Sequence, residues 1–328
     1  MYYPDFEVAK YEFLTECLNS FELPAYKGSM LRGGFGSAFK TIACSKRGVT
    51  CKDCMLRHSC PYGYVFETSP REGSELLANF KAVPRPFIIE PPLEAKRYYR
   101  RGDKLTFGLV LVGKAIDYLP YFVLAFDELG RRGIGRDRGK YALREVMSVK
   151  GVERTLVYSG DGRRLHETDT SVSWEETVNK WLSGDGQNGL KEVSIRFLTP
   201  ARIRQGEDFV KESDFGFHHI IGNLLWRIRS LAYFHCGESL DLDINKLVYD
   251  AGQVEVLESE LYWHDRWRYS GRQKRGYWQG GIKGKVKFGG DVKDFMPFLL
   301  LGEYIHIGSA TTFGLGKFKL ERANSANY

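Results

Sequence analysis

The chain has 328 residues, 43% of them hydrophobic and 27% charged, with a formal net charge of +7 at pH 7. That hydrophobic share excludes wholesale disorder, and the length suits one large domain or two of middling size. The basic excess points toward an anionic partner, and no run approaches the roughly 20 uninterrupted apolar residues of a membrane span.

The opening MYYPDFEVAKYEF carries acidic residues and no apolar signal core, so a cytoplasmic protein with no membrane partner is expected. Six cysteines in such a chain are poor candidates for a disulfide framework. A strand-like run ends in EFLT, Glu12–Thr15, and a helix is expected over Leu31–Ala43. CSKRGVTCKDCMLRHSC follows, setting Cys44, Cys51, Cys54 and Cys60 in a C-x6-C-x2-C-x5-C array. A C-x-x-C step lets two thiolates bind one ion from a tight turn, and the flanking cysteines complete a tetrahedron. Structural zinc is the favoured occupant. Pro61 directly after Cys60 keeps an iron–sulfur cluster open as the alternative, as are four reduced, unliganded thiols. Cys17 and Cys236 fit no ligand spacing and are expected in the core.

Next comes a hairpin, FIIE paired with KLTFGLVLVG, turning at Arg101–Gly102–Asp103. An apolar helical run (YLPYFVLAFDELG), a Gly-rich loop (RRGIGRDRGK) and a strand opening KYAL complete the first half. Turn residues cluster at SGDGQ, Ser183–Gln187, which is expected to be the linker. In the second half RFLT, Arg196–Thr199, precedes a helix expected over Phe217–Phe234, where Ile220, Leu224, Leu225, Ile228 and Leu231 recur at helical spacing. A basic, aromatic hairpin turning near Ser270–Gly271 comes next, then FMPFLLLGEYIHI, the loop GSATTFGLGK and a strand opening KFKL.

The halves superimpose in sequence at an offset of 177 residues, which carries Gly113 onto Gly290, Asp117 onto Asp294, Pro120 onto Pro297, Gly139 onto Gly316 and Leu143 onto Leu320 without a gap. Each half reads strand, helix, two strands, helix, strand. The expected fold is α+β: tandem ferredoxin-like (βαββαβ, RRM-like) domains over 1–183 and 188–328, with the cysteine knuckle 44–60 inserted in the first.

The closing loop 308–316 holds Gly308, Gly314 and Gly316, with Ser309, Thr311 and Thr312 as hydroxyl donors. Glycine permits positive φ and close approach of another backbone, and bare N–H groups in such a loop can grip phosphate oxygens. It follows a helix and opens a strand, the reverse of dinucleotide and P-loop motifs. A plain helix C-cap with a tight turn is the competing reading.

The pattern hydrophobe–Gly–x5–Gly–hydrophobe–Gly, here Ile307 to Gly316, closing a tandem ferredoxin-like chain resembles the RAMP proteins of CRISPR systems. More narrowly, the chain is similar to the CRISPR-associated endoribonuclease that cuts the repeat transcript into guide RNAs, through LRGGFGSAF, CPYGYVFET, FIIEPP, RFLTPARI, LAYFH, WHDRWRYSGRQ and TTFGLGKF. One departure is His306, which stands at the first glycine place of the family's loop. The resemblance implies metal-independent cleavage of precursor CRISPR RNA by 2′-OH attack, giving 2′,3′-cyclic phosphate ends. It implies repeat RNA as partner, and other CRISPR effector subunits as further ones.

Such chemistry needs a base, an acid and cations around the reacting phosphate. By resemblance a histidine beyond the first helix, with Tyr and Lys, supplies them, which nominates His58, Tyr26 and Lys40, with Lys27 nearby. His58 also suits a solvated knuckle residue or a substitute metal ligand. His264 is the rival, though a packed strand histidine fits it as well; His235, His218–His219 and His166 are expected to cap, pack or sit in a turn. In the second hairpin Arg266, Arg268, Arg272, Lys274 and Arg275 alternate with Trp263, Trp267, Tyr269 and Tyr277, a basic ribbon suited to an RNA backbone. A charged edge strand guarded against aggregation is the alternative. Two other functions remain open from sequence: a non-catalytic repeat-RNA-binding subunit and an iron–sulfur redox protein.

Overall fold

A computed structural model describes residues 4–46, 48–57, 59–68, 83–184, 190–270 and 275–321. The chain divides into two compact units, one formed by Glu7–Val172 with Tyr233–Gly237, the other by Met1–Phe6, Ser173–Ala232 and Glu238–Tyr328.

The first unit runs β1 (Glu7–Cys17), β2 (Phe21–Glu22), α1 (Gly28–Ala43), α2 (Pro61–Phe66), β3 (Phe87–Glu90), β4 (Tyr98–Tyr99), β5 (Lys104–Val112), α3 (Leu119–Arg132), β6 (Tyr141–Lys150), β7 (Glu153–Ser159), β8 (Arg164–Leu165) and β9 (Ser171–Ser173). Its sheet has the order β3-β5-β1-β6-β7-β8, with β9 beside β1. Strand β1 therefore lies centrally, antiparallel to both β5 and β6. Its residues alternate buried and part-exposed, the period-2 pattern of a sheet with one covered face.

That covered face is aromatic. Phe13 stacks on Phe107 across β1 and β5, with ring centroids 5.3 Å apart. Phe35 of α1 touches Phe126 (4.5 Å) and Phe122 (5.2 Å) of α3, Phe66 (5.5 Å) of α2 and Phe87 (5.7 Å) of β3. Both long helices and the sheet thus meet on one ring. Cys17 is fully buried in this core, which pushes its thiol pKa up to about 11.

The second unit contains α4 (Trp174–Ser183), β10 (Glu192–Ala201), β11 (Arg204–Gln205), β12 (Asp208–Phe209), α5 (Phe217–Leu231), α6 (Ile244–Ala251), β13 (Glu255–Ser259), β14 (Tyr262–His264), β15 (Trp267–Ser270), β16 (Arg275–Trp278), β17 (Gly281–Gly289), α7 (Met296–Ile305) and β18 (Phe318–Glu321). Its main sheet has the order β13-β17-β10-β18, with β14 also on β17. In both units the first long strand lies between the third and the last of the principal strands. The 177-residue offset recurs in the coordinates: β5 and β17 end, α3 and α7 begin, and β6 and β18 begin at equivalent residues.

The expected division at 183–188 shifts. Helix α4 belongs with the second unit, because Trp174 is buried there: its Nε1–H donates to Pro297 O (2.9 Å) and its ring meets Phe298 and Phe6. The expected helix to Phe234 also ends early, at Leu231, and continues as a π-helical turn, Ala232–Cys236. From that turn His235 is buried in the first unit, its Nε2–H donating to Pro84 O (2.7 Å) and its Nδ1 accepting from the Tyr64 hydroxyl (3.0 Å).

Replacing Phe35 with Ala should lower unfolding stability by roughly 3–5 kcal/mol, read as a fall in denaturant midpoint. Phe35→Leu should cost clearly less. Equal, small losses for both would remove Phe35 from the centre of the core.

Candidate nucleic-acid interface

Helix α7 is almost wholly apolar and buried except near its end. Arg227 of α5, itself buried, holds that end by donating from Nε to Ile305 O (2.9 Å). Desolvation pushes the Arg227 pKa down to about 10, still high enough to keep the guanidinium charged at neutral pH.

The closing loop then folds back over the end of β10. His306 takes φ 59° and is fully buried, with Nδ1 3.1 Å from Leu315 O. It occupies a left-handed backbone position where glycine is the usual choice, and its imidazole faces inward. Gly308 N–H donates to Asn223 Oδ1 (2.7 Å), Gly314 N–H to Thr311 O (2.7 Å) and Gly316 N–H to Pro200 O (3.0 Å). The Thr199 hydroxyl donates to Gly314 O (2.8 Å) and accepts from Lys317 N–H (2.8 Å).

The expectation that these three glycine N–H groups stand ready for phosphate is therefore corrected: internal acceptors hold them. The glycines serve close backbone packing instead. A Cβ on Gly316 would lie 1.7 Å from Ile307 O, and one on Gly308 2.6 Å from Arg202 O. Thr311 and Thr312 are buried. Ser309 is the exposed residue of the turn, and its N–H donates to Arg202 O (2.9 Å).

From Arg202 a continuous cationic and aromatic surface extends within this unit. The Arg202 and Arg204 guanidinium carbons lie 4.3 and 4.8 Å from the Phe209 ring centroid. Arg202 also donates to Gly280 O, and Gly280 packs against Trp263. The Lys211 ammonium sits 3.8 Å over the Trp263 ring. Among the described residues, no ion pair holds Arg204, Lys211 or Lys283. The cations of the sheet itself are largely matched: Lys285 pairs with Glu321 (2.9 Å), Arg196 with the same carboxylate, and Lys287 with Glu192 (2.8 Å).

The second hairpin splits into two parts. β13 and β14 pair with β17, while β15 and β16 form a separate two-stranded ribbon. At its base Arg266 donates to Gln279 Oε1 (2.5 Å). Arg268 and Arg275 lie in the ribbon strands; Arg272 and Lys274 fall outside the described residues. His264 has its pKa lowered by burial first and then by Lys283 and Arg266, which keeps it neutral at physiological pH. His219 accepts from Gly216 N–H at Nδ1 (3.0 Å) and lies 3.3 Å from Gln205 Oε1 through Nε2. It caps α5.

In the first unit the catalytic candidates separate. Tyr26 precedes α1 and Lys40 lies in its last turn. At 1.5 Å per residue that places them about 20 Å apart along the axis, too far to act on one phosphate. His58 falls outside the described residues. Lys27 is buried, its ammonium donating to Ala25 O (3.3 Å) and Glu94 O (3.2 Å), and desolvation lowers its pKa. Lys40 instead stands 5.5 Å from the Tyr62 ring centroid. Burial, then Glu67 and Cys51, raise the Tyr62 pKa. Tyr62 was not singled out from sequence, although CPYGY places it two residues after a candidate ligand.

Of the four cysteines, Cys44 follows α1 and Cys60 precedes α2, with Cys51 and Cys54 in the turns between. All four are free and part-exposed. The Cys51 thiol pKa is raised by burial and then by Glu67. Among the described residues, however, no three of His, Cys, Asp or Glu are gathered as metal ligands. The thiolate chemistry suits zinc; the closed four-thiolate arrangement expected from the spacing is not assembled among these residues.

Residues 195–318 match the family model of the CRISPR-associated endoribonuclease Cas6, and residues 6–170 match AF_1859_N, described as an N-terminal domain. An uncharacterized protein of Archaeoglobus fulgidus is 24% identical over 311 residues, covering 92% of this chain and 93% of that protein. Among solved structures, Thermus thermophilus Cas6 aligns at TM-score 0.53 with 15% identity, over 96% of this chain and 99% of that one. A Cas6 product complex gives TM-score 0.54 with 16% identity over 95% of this chain and 99% of that one. A partial Cas6-RT-Cas1–Cas2 complex gives 0.59 with 12% identity over 99% of this chain, which spans 48% of the matched one. At such identities the structural likeness is one of fold. The chain thus belongs to the family of the AF_1859_N domain, which covers half of it, and its residues 195–318 carry the match to the CRISPR-associated endoribonuclease Cas6.

Proposed function

We propose that this protein binds CRISPR repeat RNA and cleaves the precursor transcript into guide RNAs. The observation that carries this is that the Cas6 match, residues 195–318, contains the closing loop and the whole Arg202–Phe209–Lys211–Trp263 surface beside it. Two tandem ferredoxin-like modules, one per unit, would supply the frame, supported by the matching strand orders and the repeated 177-residue offset.

In the proposed reaction a ribose 2′-oxygen attacks the adjacent phosphorus and the bond to the 5′-oxygen breaks. The products are a 2′,3′-cyclic phosphate and a 5′-hydroxyl. A base must take the 2′-hydroxyl proton, and an acid must protonate the leaving oxygen. No catalytic metal is invoked. Lys40 beside Tyr62 offers a cation for the charge on the phosphate and a phenol kept protonated by burial. His58, in the connected cysteine segment, is the proposed proton carrier. A second reading is favoured by the separation of Tyr26 from Lys40: a repeat-RNA-binding subunit without cleavage.

A structural zinc bound by Cys44, Cys51, Cys54 and Cys60 is proposed as a staple for the connection between α1 and α2. It rests on the donor set and its spacing. An iron–sulfur cluster is the alternative occupant.

Purified protein incubated with repeat RNA in chelator should cut all-ribose RNA and spare a substrate with one 2′-deoxy residue at the cut site. Tight binding without product would favour the binding subunit. Metal analysis should find about one zinc per chain, reduced in Cys51→Ser/Cys54→Ser; absorbance near 400 nm would point to a cluster instead. Arg204→Ala with Lys211→Ala should reduce the slope of log affinity against log salt by about two. An unchanged slope would remove this surface from the RNA path.

A further inference from the structure

The ribbon of β15 and β16 carries two tryptophans directly opposite each other, Trp267 and Trp278. Their exposures are 59% and 65%. The rings meet edge to face, with centroids 5.4 Å apart and an interplanar angle of 72°. Trp267 lies across Gly276, where even a Cβ would come within 2.1 Å of its ring. Edge-to-face contact leaves broad indole faces in water. An isolated two-stranded ribbon is only marginally stable; the cross-strand contact helps hold its strands together, while most of each ring's area stays exposed.

The ribbon segment itself carries charge of one sign in sequence: Arg266–Gly281 contains Arg266, Arg268, Arg272, Lys274 and Arg275 and no Asp or Glu. Cations that track a backbone and rings that receive bases are the two components of single-strand recognition. An apolar protein partner would not require the first, and a duplex would not use the second, because its bases are already stacked.

We infer that Trp267 and Trp278 form a stacking clamp for an unpaired nucleobase of the RNA substrate, the base lying on an outward indole face and not between the two touching rings. This rests on the RNA-processing reading above and specifies which part of the RNA this face takes: a single-stranded segment. The flanking Arg266–Gln279 bond holds the base of the ribbon in register, and so fixes the spacing of the two rings. Nothing in such a clamp distinguishes bases by hydrogen bonding, so it tolerates any sequence and demands only an exposed base.

The test uses the full chain, repeat RNA, and an oligouridylate of roughly 12 nucleotides, each intact or with single abasic residues. The wild-type protein should bind the single strand with quenching of tryptophan fluorescence, and one abasic position should weaken binding. Trp267→Ala/Trp278→Ala should weaken binding by roughly 5- to 150-fold and erase the abasic penalty, with an unchanged thermal melt. Trp267→Phe/Trp278→Phe should restore most of the affinity. An abasic penalty that persists in the alanine variant overturns the clamp while leaving the RNA reading intact. Unaltered RNA affinity together with a dimer-to-monomer change makes the pair an interface between copies, and also overturns it. Failure of the wild-type protein to bind either RNA defeats the clamp and the RNA reading together.

Discussion

The backbone at Gly316 runs so close to Ile307 that one additional carbon has no place between them. On that contact rest the return of the chain from α7, the seating of the loop on Thr199 and Pro200, and the entry into β18 beside β10. It also determines where Arg202 lies, since the same loop is bonded to the Arg202 carbonyl through Ser309. The loop therefore works as a clasp, and the charged surface is arranged around its rim.

Much of the architecture was legible because it is written in turn residues. Glycine, proline and aspartate recur at one offset through Gly113, Pro120 and Gly139, and the coordinates reproduce that offset at strand and helix ends. The Ser173 hydroxyl accepts the Glu176 N–H (3.0 Å) and caps α4, a helix the sequence reading did not single out. What no local pattern carries is the destination of that helix. Trp174 finds Pro297 more than a hundred residues away, so the boundary between units fell earlier than the turn cluster suggested.

The site was less legible for a related reason. A three-glycine loop looks the same in sequence whether its N–H groups face solvent or the protein's own carbonyls. The partners that hold them, Pro200 and Asn223, are distant in the chain. Arg202, Arg204 and Lys211 were missed because they stand singly in a short polar stretch, with no periodicity to group them; Phe209 and Trp263 gather them only in three dimensions. Tyr26 and Lys40 were grouped around the first helix, yet Tyr26 precedes α1 and Lys40 lies in its last turn, at the far end.

The five residues Tyr233–Gly237 belong to the first unit although they follow α5 of the second unit in the chain. On the ribosome, that unit cannot be completed when its own sheet has emerged, because the buried His235 is still to be made. A polypeptide split in the glycine-rich stretch after α4 would likewise leave the N-terminal fragment without the imidazole that accepts from Tyr64. A break in the chain between the units would thus cost the first unit part of its own interior.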